Sequence, residues 1–65
     1  MKLQSTFEFC KNINGQGWII TIETYKTMKY VIAQRCGWAF PSYCERLSLK
    51  ENAITYITKL IENNK

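Results

Sequence analysis

The spacing of apolar side chains changes once along this chain and divides it into two kinds of structure. In residues 48–64, SLKENAITYITKLIENN, they recur at Leu49, Ala53, Ile54, Ile57, Leu60 and Ile61. Steps of one, three and four residues place these side chains on one stripe of an α-helix. Lys50, Asn52, Thr55, Thr58, Lys59 and Glu62 then face water. Ser48 and Glu51 match a capping box, in which each satisfies an amide of the other's turn. A helix this short is marginal alone, so its stripe must rest on another element.

Before that point the pattern is alternating. Residues 3–11 place Phe7 and Phe9 between Thr6, Glu8 and Cys10, the period of a half-buried strand. The loop Asn12-Ile13-Asn14-Gly15-Gln16-Gly17 follows, rich in residues that tolerate positive φ. A second strand covers residues 18–25, WIITIETY, with its β-branched and aromatic residues. Lys26-Thr27 forms a turn, and a third strand covers residues 28–35, MKYVIAQR, ending at Cys36-Gly37.

A register follows if Lys11 faces Trp18 and the second turn closes on Lys26-Thr27. One sheet face then reads Phe7, Phe9, Ile20, Ile22, Val31 and Ala33, with Trp18 near the rim: an apolar floor for the helix stripe. A slip of one residue would break it. The opposite face reads Glu8, Cys10, Ile19, Thr21, Glu23, Tyr30, Ile32 and Gln34. Residues 36–47, CGWAFPSYCERL, allow two outcomes. They form a short fourth strand with Pro41 at an edge or turn, or they fold across a sheet face as an aromatic cover. The fold class expected is α+β: a three- or four-stranded antiparallel sheet with one C-terminal helix across one face, in a single domain.

Composition narrows the function classes. Sixty-five residues leave little scaffold for an active-site cleft. The hydrophobic fraction of 46% is that of a globular chain. There is no apolar run long enough to span a membrane. The start, MKLQSTFEF, lacks the apolar core of a signal peptide. Three cysteines, Cys10, Cys36 and Cys44, are an odd number at scattered spacing, so free thiols and a cytoplasmic chain are expected. Each Cys reads as a small buried hydrophobe.

Catalytic and metal-binding signatures are missing. The sequence has no His and no Asp, which removes Ser-His and Cys-His pairs, zinc-histidine sites and paired-aspartate chemistry. The cysteines are too far apart for an ordinary structural zinc site. No cofactor, no metal and no catalytic residue is therefore expected, and the chain is read as a non-enzyme.

The net charge of +4 favours acidic partners or serves solubility. Two groups of residues are candidates for binding. Ile19, Tyr30 and Ile32, on the face the helix leaves open, with Trp38 and Tyr43, suit a protein partner or a second copy of the chain. Lys11, Trp18, Arg35 and Arg46 suit nucleic acid, through stacking and cation–π contacts.

The strand–strand–strand–helix order, ending in a polar-capped helix that contains Ala53, resembles the small DNA-binding domains at the front of phage-type integrases. Those lay a three-stranded sheet in the major groove. The likeness covers element order only, with no sequence motif of that family. The face away from the helix carries Glu8 and Glu23 and no cation, while Lys2, Lys11, Lys26, Lys29 and Lys65 lie near strand ends, loops and the terminus. The family is not assigned. In size, missing catalytic groups and an apolar second face, the chain is similar as a class to small inhibitors encoded by phages and plasmids, anti-CRISPR proteins among them. The leading expectation is a non-enzymatic inhibitor- or adaptor-like module that binds a protein; the alternative is a nucleic-acid-binding module.

Overall fold

An Asn-Gly pair sets the first hairpin. Asn14 (φ 53°) and Gly15 (φ 81°) both take positive φ, the requirement of a two-residue type I′ turn, and the Gly15 amide donates to Asn12 Oδ1 at 3.1 Å. The turn is tighter than the six-residue loop expected, so the strands run further into it: β1 is Ser5–Ile13 and β2 is Gln16–Thr24. The computed structural model describes residues 2–64; Lys65, one of the basic residues noted above, lies outside them.

β3, Met28–Arg35, pairs with β2 across the Lys26-Thr27 turn, and Tyr25 N donates to Met28 O at 2.8 Å. The predicted register holds: Phe9 opposes Ile20, Lys11 opposes Trp18, Ile22 opposes Val31 and Trp18 opposes Arg35. A fourth strand, β4, Tyr43–Ser48, lies beside β3, with Ile32 opposite Cys44 and Ala33 opposite Tyr43. Of the two outcomes for residues 36–47, the edge strand is the one adopted. The sheet is a four-stranded antiparallel meander in the order β1-β2-β3-β4.

The helix, α1, is Ala53–Asn63 and starts later than expected. Its N-cap is Asn52, whose Oδ1 accepts from Thr55 N at 3.1 Å. The Ser48–Glu51 pair does form, with Ser48 N donating to Glu51 Oε2, but it closes the turn between β4 and the helix. A capping-box sequence thus serves a turn because Ser48 is still the last residue of a strand.

α1 lies on β3 and β1. The core comprises Ile13, Trp18, Ile20, Val31, Ala33 and Leu47 from the sheet with Ala53, Ile57 and Ile61 from the helix, flanked by Phe9, Ile22, Tyr43 and Leu60. Four residues depart from the expected core. Leu49 precedes the helix and is exposed, and Ile54 stands at the margin of the stripe. Phe7, on an edge strand beyond the helix, is 57% exposed. Trp18 is not at the rim but 2% exposed, because Tyr43 of β4 packs on it at 5.8 Å between ring centroids. Thr58, expected to face water, is half-buried and accepts from Lys11 Nζ at 3.0 Å, tying α1 to β1.

Candidate interaction surfaces

Strand alternation decides which candidate residues meet. Cross-strand partners point to the same side, so the face away from α1 has rows Thr6–Glu23–Tyr30–Arg46, Glu8–Thr21–Ile32–Cys44 and Cys10–Ile19–Gln34. Ile19, Tyr30 and Ile32 therefore share this open face, all half-buried. Tyr25 meets the Tyr30 ring edge-on at 6.0 Å, and its hydroxyl reaches Glu23 Oε1 at 3.4 Å. Desolvation, with the negative charge of Glu23 beside it, raises the Tyr25 phenol above its ordinary value of 10.0.

The loop of residues 36–42 stands at one corner of this face. Trp38 N donates to Arg35 O at 3.0 Å, and Gly37 (φ 87°) supplies the left-handed residue that the turn needs. Gln34 Nε2, on the open face, donates to Trp38 O at 2.6 Å and holds the loop there. Trp38 is 55% exposed and Phe40 79%. Rings this exposed are not packed down as a cover, and the segment continues into β4, so the aromatic-cover outcome is not adopted.

Tyr43 parts from its expected group. It opposes Ala33, an inward residue, and packs on Trp18 on the helix side. The second group divides too. Lys11, Trp18 and Arg35 form one cross-strand row on the helix side, while Arg46 projects from the open face opposite Tyr30. Within that row Lys11 is held by Thr58 and Trp18 is buried, so the Trp18 ring has no free face on which to stack a base.

Arg35, half-buried, is the remaining member of the row. Its guanidinium carbon lies 5.3 Å from the Trp18 ring centre and 4.5 Å from that of Trp38, within cation–π range of both. The Trp18 contact was legible once the register was set. The Trp38 contact follows from the four-residue turn Arg35-Cys36-Gly37-Trp38, whose Gly at the third position was the available signal. Trp18 Nε1 is buried without a hydrogen-bond partner, which costs about 1–3 kcal/mol.

The cysteines correct another expectation: Cys10, Cys36 and Cys44 are free and exposed rather than buried. Cys10 and Cys44 occupy open-face positions that nothing covers, and Cys36 is in the corner loop. Among the described residues no three His, Cys, Asp or Glu side chains come together as a metal site, and no helix is long and apolar enough to cross a membrane.

Charge is unevenly distributed. Along the strands the open face carries Glu8, Glu23 and Arg46, two carboxylates against one guanidinium, in a chain whose net charge is +4. Lys11, Lys29 and Arg35 lie on the helix side. No protein-family model matches the chain, and no curated protein or solved structure matches it significantly.

Proposed function

We propose that this protein is a non-enzymatic module that binds a protein partner in the cytoplasm, as an inhibitor or adaptor, through its open sheet face. The observation that carries this is the uncovered diagonal pair of Ile19 and Ile32, with the Tyr30 ring and its Tyr25 contact on the same side. A flat apolar centre with aromatic residues at its margin is the composition of protein-contact surfaces. Glu8 and Glu23 at the rim favour a partner that presents cations there. The same two carboxylates disfavour nucleic acid on this face, since phosphate contact needs a surplus of cations. Three exposed thiols fit a reducing compartment.

The test compares the wild type with Ile32→Glu as affinity baits in lysate of the cells of origin. Ile32 is outside the core, so the variant should keep the wild-type circular dichroism spectrum and a cooperative melt. A partner retained by the wild type and lost with Ile32→Glu is the expected result, and a second copy of the chain would register as a dimer by light scattering. The reading fails if both baits retain the same proteins and both are monomeric. It also fails if wild type and variant bind single-stranded DNA equally at low salt while no protein partner is retained.

A further inference from the structure

At the Asn14-Gly15 end of the sheet, the C-terminal turn of α1 does not close fully onto β1 and β2. It leaves an open recess of about 560 Å³, on the helix side and away from the open face. Ile13, Trp18 and Ile61 give it apolar walls, and Arg35, Gln16 and Asn64 give it polar ones. The volume falls in the range of small-molecule sites, and an apolar lining with a few convergent polar groups is how such sites are built.

Charge selects the class of ligand. Among the described residues no carboxylate lines the recess, and Arg35 is its one ionised group. The contacts that position its guanidinium are with the Trp18 and Trp38 rings, which accept no conventional hydrogen bond and so leave its N–H groups for another acceptor. A guanidinium fixed in this way loses little side-chain freedom when it meets a planar anion. Gln16 and Asn64 are held in place too: Gln16 Nε2 donates to Gly17 O and Asn64 Nδ2 donates to Leu60 O, each at 2.9 Å. Each carboxamide keeps a further N–H and its oxygen for a ligand.

We propose that this recess binds a small organic anion, a carboxylate or phosphate on a small apolar body, with the anionic head on Arg35 and the body against the edges that Ile13, Trp18 and Ile61 present to the recess. The site is independent of the open face and of the partner proposed for it.

The probes are phenylacetate, phenyl phosphate and the neutral phenylacetamide, titrated into ¹⁵N-labelled full-length protein at constant ionic strength. At least one anion should shift the Trp18 indole N–H and the Arg35 Nε–H together, with a Kd of about 1 mM or tighter. Phenylacetamide should bind at least about tenfold more weakly. Which anion binds tighter distinguishes a carboxylate ligand from a phosphate one. Arg35→Gln should abolish the preference for the anion. Because Arg35→Gln also removes the cation from two rings, Gln16→Glu is the second variant: it leaves the rings alone and puts a negative charge at the site. Gln16→Glu should weaken the anion at least about tenfold and leave phenylacetamide unchanged. Equal affinity for anion and amide overturns the proposal. So does the absence of any shift at Trp18 and Arg35 at about 10 mM probe, or anion binding that survives Gln16→Glu undiminished.

Discussion

Ile57 gives the sharpest test of how this domain is held together. Its side chain is 0% exposed and sits in the middle of the helix stripe, between Ala53 and Ile61 one turn to either side. Ile57→Ala removes about three CH₂ equivalents, which at about 0.8 kcal/mol each is about 2.4 kcal/mol of lost transfer energy. The floor beneath, the side chains of Ile20, Val31 and Ala33, stands on paired strands that cannot collapse into the gap, so a cavity term brings the cost to about 3–4 kcal/mol. A 65-residue domain has only about 3–10 kcal/mol in total. The melting temperature should fall by about 12–30 °C, followed by circular dichroism in parallel with a urea titration. Ile54→Ala, on the same helix but at the margin of the stripe, should cost less than about 1 kcal/mol. If the two variants melt within a few degrees of each other, α1 does not dock by the Ala53–Ile57–Ile61 edge.

Two further outcomes follow from the surface chemistry. Because Cys10, Cys36 and Cys44 are all exposed, native protein should release three equivalents of thionitrobenzoate from Ellman's reagent without denaturant; a count below three would refute their placement. Tyr56, like Tyr25, has its phenol raised above 10.0, by desolvation and then by Glu45, whose Oε1 accepts from the Tyr56 hydroxyl at 3.4 Å. A phenol raised by folding holds its proton more tightly in the native state. Its stabilising effect is therefore complete below the unfolded value near 10 and is lost as pH rises through the folded value. Urea midpoints measured from about pH 9 to about pH 11 should fall for the wild type and fall less for the Tyr25→Phe, Tyr56→Phe double variant; parallel curves would remove both phenols from the account.

The sheet was legible because alternation and turn chemistry agree. Phe7, Phe9, Ile20, Ile22, Val31 and Ala33 can share one side in a single register, and a slip of one residue would have put Glu8 or Thr21 among them. Ile13 was missed as a core residue, although it continues the alternation of Phe7, Phe9 and Lys11; the Asn-Gly pair immediately after it was the signal that the strand extends that far. The helix start was misread because Ser48 and Glu51 satisfy the local pattern of a capping box, and local pattern does not reveal that β3 claims Ser48 as a strand partner for Met28. Leu49 left the stripe as a consequence. Tyr43 changed faces for a similar reason. Which way a fourth strand presents its side chains depends on its pairing with β3, and nothing within residues 36–47 fixes that register.

The strand order has a consequence for how the chain reaches this structure. Each β strand pairs only with its neighbour in sequence, so the sheet assembles from two tight hairpins and one longer connection, with small loop-closure costs. Contacts this local favour rapid folding. The step that reaches across the chain is the return of α1 to β1, marked by the Lys11–Thr58 bond between residues 47 positions apart. During synthesis the four strands emerge before the helix does. For that interval Ile20, Val31 and Ala33 have no cover, and the nascent sheet is at its most prone to association with other chains. Docking of eleven helical residues ends that exposure, so substitutions that slow helix formation should lower soluble yield more than they lower the melting temperature.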